Sequence, residues 1–560
     1  MVFFQAQPAP ELPTKDILSW IFDAPDYDVD KPILVDASQP ERFISHIHAR
    51  TTIRKIIAGL RHMGVRRGDC VIVHSFNDIY YTLLVLAIIG SGAIFAGTNP
   101  GYTPLELQHH VKITQAKFLI CEPELLASLL QAAKGTGIPD YNIRIFNTQP
   151  SQTCPDGFVS WHDLLRHGES DWVRFEGHDV CANTTAARLT SSGTAARLTS
   201  SGTTGLPKAT MTSHLNLIAQ HELVYGISSP KRPYEIVNLF AAPMFHAAVG
   251  PRVHTTAFKN GERSYVMRRF ELEPFLANIE RFQVTELYIV SAMAVAICMS
   301  PLIQKYSLRS VRQGLAGAAP LSKETQAGIR KYLRPGAPFT QVMGMTESTC
   351  ILTWFDYPED DETGSVGRVR PGIDVKLVDD RGRDISGHDV QGELCIRGPT
   401  VIGGYFDNPE ANAETFDRDG FFHTGDVMYC DGRTKLWYVV DRKKEMIKVR
   451  GFQVAPPEIE AVLLNHPDIV DAAVIGVPAA SELDGEAPRA YVVRRPGAKG
   501  SNLTPADVVE YAGQALSKYK RLEGGVKFVD AIPKNASGKI LKRILRDEAK
   551  KERAGAAAKM

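Results

Sequence analysis

The sequence predicts an α/β protein with a large N-terminal domain of α/β subdomains plus a β-rich subdomain, and a small mobile α+β C-terminal domain. Short apolar runs such as CVIVHS, KFLICE and LYIVSA alternate with longer amphipathic stretches, which is typical of strands that alternate with helices. From about Gly364 the sequence changes to short strands separated by glycine and aspartate turns. The chain has 560 residues, 44% of them hydrophobic, and is therefore long enough to bury several cores.

A charged run marks the predicted boundary between the two domains. The apolar segment WYVV at residues 437–440 is followed by DRKKE at residues 441–445. Charged residues between two apolar blocks are typical of a hinge. We therefore expect residues 1–440 to form the N-terminal domain, residues 441–560 to form the C-terminal domain, and the hinge to lie at Asp441.

The charge balance and the cysteines exclude several classes of protein. Lys and Arg number 64 and Asp and Glu 63, so the formal net charge is +1 and there is no basic excess of the kind that nucleic-acid binding requires. The eight cysteines lie far apart without a CxxC pair, which argues against zinc ribbons, redox dithiols and a disulfide framework. These features predict a reduced, intracellular, soluble protein without a nucleic-acid partner.

One uncharged stretch, residues 80–97, has a length close to that of a membrane span. Residues 90–92 (GSG) divide it into a helix-like half and a strand-like half. In a large α/β protein this pattern favours a buried helix, a tight turn and a buried strand. We therefore expect no transmembrane segment here.

The last three residues, Ala558, Lys559 and Met560, are a relaxed form of the Ser-Lys-Leu peroxisomal signal. The preceding segment has few apolar residues, which favours an accessible C-terminus. The sequence thus predicts a possible peroxisomal import receptor as a partner and a peroxisomal location, with the cytoplasm as the alternative.

A direct repeat lies in the middle of the N-terminal domain. Residues 186–194 (AARLTSSGT) recur letter for letter as residues 195–203. Nine extended residues span up to about 30 Å, too much for one strand to absorb, so one copy is expected to loop out. Only the second copy continues into TGLPK at residues 204–208. We therefore expect only that copy to build the loop described next.

A loop rich in Gly, Ser and Thr, residues 199–208 (TSSGTTGLPK), has the composition of a phosphate-binding segment. Small residues let backbone N–H groups approach phosphate oxygens, hydroxyl groups add donors, and Lys208 supplies positive charge. The glycine spacing differs from that of a GxxxxGK[ST] P-loop. By itself the segment is equally compatible with a flexible surface loop.

Three further segments offer complementary chemistry. MGMTE at residues 343–347 places a hydroxyl and a carboxylate beside a glycine, which suits phosphate and Mg²⁺. TGD at residues 424–426 places a carboxylate after a turn, where it suits ribose hydroxyls, and PKNASGK at residues 533–539 presents a lysine behind a turn. Each segment alone is also compatible with a cap, a turn or a solvated charge.

Together and in this order, these segments resemble the adenylate-forming enzymes, which include acyl- and aryl-CoA synthetases, peptide-synthetase adenylation domains and luciferases. The pattern is most similar to that of 4-coumarate–CoA ligase-like enzymes, in SSGTTGLPKA, APMFHAAV, GAAPLSKE, GMTES, FFHTGDV, VDRKKEMIKVRGFQVAPPEIE and PKNASGKI. The resemblance extends from about residue 98 to Lys539. It implies an ATP-dependent acid–CoA ligase that forms an acyl-adenylate, releases pyrophosphate, and transfers the acyl group to a thiol.

The resemblance also implies the site residues, with ATP, Mg²⁺ and coenzyme A as cofactor and co-substrates and a small carboxylic acid as the other substrate. The implied catalytic residues are Lys539, Lys448, His246, Thr346 and Glu347, of which Glu347 coordinates Mg²⁺. The residues implied to bind ATP or coenzyme A, besides Thr346, are Ser200, Ser201, Gly202, Thr203, Thr204, Gly205, Lys208, Gly317, Ala318, Ala319, Gln341, Met343, Gly344, Asp426, Arg442, Lys444, Lys259, Arg450, Gly451 and Gln453.

In the family, the catalytic lysine acts in adenylation, and the C-terminal domain then rotates about the hinge. By resemblance, Lys539 leaves the site after adenylation, and Lys448, Arg450, Gly451 and Gln453 approach it for thioester formation. Gly451 gives the pantetheine arm a backbone without a side chain. Lys259 aligns with a coenzyme A-binding arginine of plant members.

Two departures from the family pattern keep other readings open. Met343 replaces the tyrosine that the family often has in the adenine motif, so an aromatic stack is lost. The repeat lies directly beside the phosphate loop and has no counterpart in the family. An impaired or non-catalytic nucleotide-binding homologue is therefore one alternative, and a ligase that loads a carrier protein and a luciferase-like oxygenase are two others.

The acid pocket is predicted to begin at His246, in PMFH. Amino-acid-activating relatives place an aspartate there to pair the substrate ammonium, and a neutral imidazole does not replace that buried partner. Ala247, Ala248, Val249 and Leu315 add no hydrogen-bond donors from their side chains. We therefore expect an apolar, roomy pocket for an arylalkanoic, cinnamic or medium-chain fatty acid.

Overall fold

The computed structural model describes residues 3–190, 207–227, 232–319, 321–443, 445–449, 452–479, 485–495, 503–534 and 539–557, without the side chains of 452–453 and 554–557. It is an α/β structure with two seven-stranded sheets, a β-rich subdomain and a smaller C-terminal sheet. The predicted fold class is confirmed.

The first sheet is built mainly by residues 70–213 and is parallel except for its last strand. Its strand order is β7-β6-β5-β3-β4-β8-β9. The helices up to this point are α1 (Ile17–Phe22), α2 (His46–His62), α3 (Ile79–Gly90), α4 (Pro104–Thr114), α5 (Leu126–Ala133) and α6 (His178–Asn183). The strands of this sheet are β3 (Cys70–His74), β4 (Ile94–Gly97), β5 (Ala116–Cys121), β6 (Ile143–Ile145), β7 (Val159–Ser160), β8 (Thr185–Ala187) and β9 (Thr212–Ser213). The two strands that precede them in the chain, β1 (Leu34–Asp36) and β2 (Phe43–Ile44), belong to the second sheet.

The second sheet has the strand order β14-β13-β12-β10-β11-β1-β2 and is parallel except for β2. Its remaining strands are β10 (Val237–Phe240), β11 (Arg263–Val266), β12 (Glu286–Val290), β13 (Gln313–Gly317) and β14 (Phe339–Gln341). The accompanying helices are α7 (His214–Gln220), α8 (Ala257–Asn260), α9 (Leu272–Arg281), α10 (Ser291–Met299) and α11 (Lys323–Arg330).

The β-rich subdomain centres on a four-stranded antiparallel sheet, β19-β20-β21-β22. Its elements are β15 (Gly344–Met345), β16 (Cys350–Ile351), β17 (Thr353–Trp354), β18 (Arg368–Val369), β19 (Asp374–Val378), β20 (Gly392–Arg397), α12 (Pro409–Thr415), β21 (Phe422–Cys430) and β22 (Trp437–Arg442). The predicted hinge residue, Asp441, is the penultimate residue of β22.

The C-terminal region packs three helices against the sheet β25-β26-β27, with buried clusters on both sides of it. Its elements are β23 (Ile447–Val449), β24 (Phe452–Val454), α13 (Pro456–Leu464), β25 (Ile469–Pro478), β26 (Glu486–Arg494), α14 (Pro505–Ala515), β27 (Val526–Phe528) and α15 (Lys542–Ala557). Short 3₁₀ turns lie at Pro123–Leu125, Asp140–Asn142, Trp161–Leu165, Pro301–Gln304, Thr346–Ser348 and Lys518–Lys520, and π-helical turns at His221–Gly226 and Arg252–Thr256.

Local sequence explains several of these elements. Thr103 and Glu106 form a reciprocal capping box at the start of α4, where Pro104 lacks the N–H that would otherwise be unsatisfied. The Val- and Ile-rich strand β3 is buried along its whole length because helices cover both faces of a parallel sheet. The uncharged stretch at residues 80–97 forms the buried helix α3 and strand β4, with Gly92 at a φ of +84° in the turn. Within the described residues, no helix has both the length and the hydropathy needed to span a bilayer.

The first copy of the repeat enters the first sheet. Ala186 and Ala187 belong to β8, whose Ala187 lies opposite Phe95 of β4 and Thr212 of β9. Three residues after the end of β8, Thr190 forms an isolated antiparallel bridge with Ala209. The second copy, residues 195–203, lies outside the described residues, so its predicted role in the phosphate loop stays a prediction.

Candidate active site

The family resemblance implies that residues 317–319 and 341–344 flank the adenine. These two segments lie at the carboxyl ends of neighbouring parallel strands, where open α/β sheets bind their ligands. Strand β13 ends at Gly317 and the adjacent β14 ends at Gln341. The Ser291 hydroxyl donates hydrogen bonds to the carbonyls of Gly317 and Ala319, and Ala318 between them has a φ of +73°. The backbone of this loop is thus fixed from the N-terminus of α10.

The two larger predicted adenine residues are mostly engaged in the protein itself. The Gln341 amide accepts from the Leu321 N–H at 2.9 Å and donates to the Leu321 carbonyl at 3.0 Å. Met343 is 9% exposed and belongs to the core cluster of the β-rich subdomain. Gln341 therefore shapes the loop after β13, and Met343 offers a ligand only a small part of its surface.

Thr346 and Glu347 lie in a 3₁₀ turn between β15 and β16, which form a tight antiparallel hairpin. A Cβ on Gly344 would lie 1.9 Å from the carbonyl oxygen of Cys350, so the hairpin requires glycine there. The Glu347 carboxylate accepts a hydrogen bond from the Tyr405 hydroxyl at 2.9 Å. The hairpin therefore holds this carboxylate in a defined orientation.

Lys208, the last residue of the predicted phosphate loop, contacts Tyr405 as well. Its ammonium lies 4.8 Å from the centre of the Tyr405 ring, within cation–π distance. Tyr405 thus connects the lysine that ends the phosphate loop with the carboxylate of Glu347. Sequence reasoning missed Tyr405, whose position after two glycines was the only local signal.

The predicted ribose residues, Asp426 and Arg442, lie opposite each other on β21 and β22. The Arg442 Nε lies 3.2 Å from the Asp426 carboxylate, and the charge of Asp426 raises the pKa of Arg442. The TGD turn before Asp426 is closed by the Thr424 hydroxyl, which accepts from the Asp426 N–H. The two adjacent strands therefore hold a carboxylate and a guanidinium together at the predicted ribose position.

Glu393 supports this turn, and sequence reasoning missed it as well. Its carboxylate accepts from the Gly425 N–H at 3.2 Å and from the Lys443 ammonium at 2.9 Å. Burial raises the pKa of Glu393, but hydrogen bonds from His423 and Lys443 outweigh it and lower the value to about 2. The residue lies in GELCIRG, which reads from the sequence only as a strand.

Lys539 lies beside the Asp426–Arg442 pair. Burial and the positive charge of Arg442 lower the pKa of Lys539 to about 8, while the charges of Asp426, Glu445 and Asp441 act in the opposite direction. The antiparallel bridge between Lys534 and Ile540 closes the segment that carries Lys539. The C-terminal region thus brings its predicted adenylation lysine close to the pair that is predicted to bind the ribose.

Lys448 belongs to a different face of the C-terminal region. It is exposed on β23, opposite Gln453 of β24, and its N–H donates to the Glu486 carboxylate at 3.0 Å. Its predicted role after domain rotation stays a prediction. The predicted residues Ser200, Ser201, Gly202, Thr203, Thr204, Gly205, Lys444, Arg450 and Gly451, and the side chain of Gln453, lie outside the described residues.

Lys259 lies at the end of α8 against the N-terminal helix α1. Its ammonium donates to the Trp20 carbonyl at 3.1 Å and lies 5.1 Å from the centre of the Trp20 indole. These contacts occupy part of its bonding capacity. The predicted contact with coenzyme A stays a prediction.

His246 is uncharged at neutral pH and has one nitrogen available. Burial lowers the pKa of His246 to about 4. Nδ1 accepts a hydrogen bond from the Ala248 N–H at 3.1 Å, so the proton of the neutral ring is on Nε2. Nε2 is enclosed and has no protein partner among the described residues. It is therefore placed to donate to a ligand.

The predicted acid pocket contains a residue that sequence reasoning did not use. The Cys350 thiol lies 3.6 Å from the carbonyl of Ala248, whose side chain is exposed. Cys350 belongs to a buried cluster with Tyr225, Leu315 and Ile351. The hairpin that carries Glu347 therefore also supplies an apolar wall next to His246.

A cavity of about 380 Å³ opens on the other side of the PMFH segment. Its wall includes the aromatic rings of Phe76, Phe245 and Phe270, and its lining includes Arg269 and Lys534. Arg268 also lines it, so the cavity combines an apolar interior with three cations, of which Lys534 comes from the C-terminal region.

Comparison with known proteins agrees with this arrangement. The AMP-binding enzyme family model matches residues 22–406, and the model of the AMP-binding enzyme C-terminal domain matches residues 458–539. The chain belongs to this family. The matched ranges include Lys208, Glu347 and Lys539, three of the residues that the fold brings to the site.

Relatives support the ligase branch of the family. The chain is 50% identical over 550 residues to phenylacetyl-CoA ligase epaB of Aspergillus niger, covering 98% of this chain and 99% of the relative. It is 33% identical to 4-coumarate–CoA ligase 4 of Arabidopsis thaliana, covering 90% and 86%. The crystal structure of ATP-bound MatB from Rhodopseudomonas palustris superposes with a TM-score of 0.81 at 26% identity, covering 95% and 98%. This protein is an AMP-forming acid–CoA ligase.

Proposed function

We propose that this ligase activates an arylalkanoic acid, such as an arylacetic acid, with ATP and transfers the acyl group to coenzyme A. The observation that carries the proposal is that Lys208, Glu347, Asp426, Arg442 and Lys539, from distant parts of the sequence, are connected through Tyr405, an ion pair and electrostatic interactions. These groups complement the phosphates and the ribose of a nucleotide. The neutral His246 and the apolar wall beside it complement an uncharged acyl chain.

In the first half-reaction, a carboxylate oxygen of the acid attacks the α-phosphorus of ATP. The bond from that phosphorus to pyrophosphate breaks, and an acyl-adenylate remains. Lys539 and Arg442 stabilise the negative charge that develops on the α-phosphate oxygens, and Asp426 orients the ribose. The role of the protein is to position groups and to stabilise charge, because the reactants carry the covalent chemistry.

Glu347 is the proposed magnesium ligand. One of its oxygens accepts a hydrogen bond from Tyr405, and among the described residues no hydrogen bond reaches the other. Magnesium commonly binds through one or two carboxylates together with substrate phosphates, so a dedicated protein cage is unnecessary. When bound, Mg²⁺ neutralises phosphate charge. Among the described residues, no three His, Cys, Asp or Glu side chains form a metal-binding group.

In the second half-reaction, the thiolate of coenzyme A attacks the acyl carbonyl carbon and AMP leaves with the electrons of the carbon–oxygen bond. The cavity beside Phe245 suits the pantetheine arm because its interior is apolar, and Arg269, which belongs to the N-terminal region, suits the phosphates at the other end. Lys448 is proposed to approach the site in this step.

The acid is proposed to carry an aromatic or apolar chain without an α-amino group. Ala248 leaves space, and Cys350, Leu315 and Tyr225 give a wall without a charged group. A substrate ammonium would therefore lack a buried carboxylate partner at this position, which is costly. Phenylacetic acid, the acid named in the relative from Aspergillus niger, fits this description.

A mass-spectrometric assay tests this function. Purified protein, ATP, Mg²⁺ and coenzyme A are combined with a pool of arylacetic, cinnamic and medium-chain fatty acids. We expect AMP and an arylacyl-CoA mass. ATP binding without pyrophosphate release would instead support a non-catalytic homologue, and acyl-adenylate without acyl-CoA would support a carrier-protein ligase or an oxygenase.

A pocket variant makes the assay specific for the acid site. Ala248→Phe is expected to lower kcat/KM for arylacetic acids by about 100-fold, since the added ring fills the space beside Cys350. The same variant should retain turnover of acetate or propionate. The matched control, Val249→Leu, changes a neighbouring apolar residue by one methylene. Equal loss with short and aromatic acids would contradict this pocket assignment.

We also propose that the ligase acts in peroxisomes, because Ala558, Lys559 and Met560 form a relaxed import signal. A fluorescent reporter ending in GAAAKM should accumulate in peroxisomes, and the same reporter ending in GAAAKE should not. A diffuse cytosolic signal from the first reporter would contradict the proposal.

A further inference from the structure

A histidine of helix α4 contacts the residue that precedes Lys208. The Nε2 of His109 lies 3.2 Å from the carbonyl oxygen of Pro207, in a half-buried position. A carbonyl oxygen only accepts hydrogen bonds, so Nε2 carries the ring proton and donates it. Pro207 has no backbone N–H, and this carbonyl is therefore the only hydrogen-bonding group of the residue. His109 thus restrains the backbone directly before Lys208.

The backbone directly after Lys208 is held by the segment that carries Tyr405. The Phe406 N–H donates to the Ala209 carbonyl at 2.8 Å, and Thr210 forms an antiparallel bridge with Tyr405. The Lys208 ammonium lies 4.8 Å from the centre of the Tyr405 ring. Two separate elements therefore restrain the chain around this lysine, α4 before it and the Tyr405 segment after it.

Helix α4 is itself attached to the Tyr405 segment. The Arg188 guanidinium donates to the carbonyl of Thr114, the last residue of α4, at 2.6 Å, and lies 3.3 Å from the centre of the Phe406 ring. The Gln115 amide, directly after the helix, donates to the Asp407 carboxylate at 2.9 Å. The helix that carries the histidine is thus a fixed support, and a helix positions a side chain more precisely than a loop does.

We propose that His109 is a positioning residue for ATP, whose hydrogen bond to the Pro207 carbonyl holds Lys208 where the terminal phosphates bind. This inference rests on the proposed function, in which the loop that ends at Lys208 binds the β- and γ-phosphates. A lysine at the end of a loop loses conformational freedom when it binds a phosphate. The bond from α4 removes part of that freedom before ATP arrives, and ATP consequently binds more tightly.

Two substitutions separate the hydrogen bond from the packing of the ring. His109→Phe keeps an aromatic ring and removes the donor, whereas His109→Gln removes the ring and keeps an N–H donor at a similar reach. In calorimetry with Mg²⁺ and without any acid, His109→Phe should raise the Kd for ATP about fivefold, as expected for the loss of one hydrogen bond. His109→Gln should stay within about twofold of the unmodified protein. A raised Kd in His109→Gln with an unchanged Kd in His109→Phe would show that the ring packs a loop, and would overturn the inference.

AMP provides the readout that a merely structural role would not give. AMP lacks the β- and γ-phosphates, so its Kd should stay within about twofold in both variants. In pyrophosphate exchange, the KM for ATP should rise in His109→Phe while kcat stays within about twofold, because the lost interaction serves binding. Equal weakening of ATP and AMP would overturn the inference, since it would indicate a general disturbance of the site.

The neighbouring residue of the same helix is a matched control. The Gln108 amide donates to the Lys134 carbonyl at 3.0 Å, a bond of the same kind between a side chain of α4 and a backbone carbonyl. Gln108→Leu removes that bond and should leave the Kd for ATP unchanged. A rise equal to that of His109→Phe would overturn the inference, because any lost bond of α4 would then suffice. If the unmodified protein turns over no acid, the proposed function fails, and the two nucleotide Kd values still judge His109.

Discussion

Lys539 is the residue whose chemistry is most sensitive to its surroundings. A lysine ordinarily keeps its proton to well above pH 10, but burial next to Arg442 lowers the pKa of Lys539 to about 8. The protonated form, which is proposed to stabilise the α-phosphate, therefore prevails below about pH 8 and is lost above it. The charge that adenylation is proposed to need is thus present at neutral pH, but the pKa of Lys539 lies only about one unit above that pH.

This pKa predicts the pH dependence of the first half-reaction. For the unmodified enzyme, kcat/KM for ATP in pyrophosphate exchange should fall as the pH rises through about 8, because Lys539 loses its proton. In Lys539→Arg the guanidinium stays charged, so that alkaline fall should be absent up to about pH 10. An identical fall in both proteins would show that another group controls it.

Three single residues show which parts of the candidate site could not be predicted from the sequence. Glu393, Tyr405 and Cys350 each join segments that are far apart in the chain: Glu393 to Gly425, Tyr405 to Glu347, and Cys350 to Ala248. Nothing in their local sequence distinguishes them from strand or turn residues. Their roles follow from contacts that exist only in the folded molecule.

Among the elements, the hairpin β15–β16 leaves no room for a side chain at Gly344. It carries Thr346 and Glu347, which are proposed to contact ATP and Mg²⁺, and Cys350, which is proposed to line the acid pocket. Both functions depend on the close approach of the two strands at Gly344.

A single methyl group tests the hairpin. Gly344→Ala places a Cβ 1.9 Å from the Cys350 carbonyl oxygen, so the strands must separate and Glu347 must move. We expect pyrophosphate exchange to fall about 100-fold, since a misplaced phosphate ligand loses much of its effect. The control Gly387→Ala meets only atoms 3.6 Å or more away and should keep its activity. Equal activity of the two variants would contradict this role of the hairpin.

The repeat is the second test at the scale of elements. Removing residues 186–194 or residues 195–203 gives the same product, because the copies are identical. In that product the letters of the first copy continue directly into TGLPK. The bridge between Thr190 and Ala209 fixes both ends of the segment whatever its length.

We predict that the shortened protein stays folded and active. Halving the segment between the bridge residues favours closure by about 0.6 kcal/mol, so stability should change little. The KM for ATP should stay equal or fall a few-fold, as less chain must be ordered around the phosphates. Thermal melting and pyrophosphate exchange measure both effects. Loss of folding would show that the second copy is required in the sheet or its connections.

At the scale of the whole molecule, two faces of the C-terminal region are available to one opening. The structure presents the face that carries Lys539, while Lys448 is exposed on β23.

Apolar periodicity predicted the α/β class, the β-rich subdomain and the buried pair α3 and β4, because such patterns depend on burial alone. Motif order predicted the family, and the roles of the individual residues toward ATP stay predictions. The sequence did not predict that Gln341 and Met343 are largely used internally, because that depends on packing between distant segments.

The central claim is that Lys539 serves only the first half-reaction, and one pair of single-turnover measurements tests it most directly. Lys539→Ala should reduce acyl-adenylate formation from acid and ATP by at least about 100-fold, as a principal charge at the α-phosphate is removed. The same protein should convert supplied phenylacetyl-adenylate and coenzyme A to the thioester at close to the unmodified rate. Full adenylation by Lys539→Ala, or equal loss of both steps, would contradict the account.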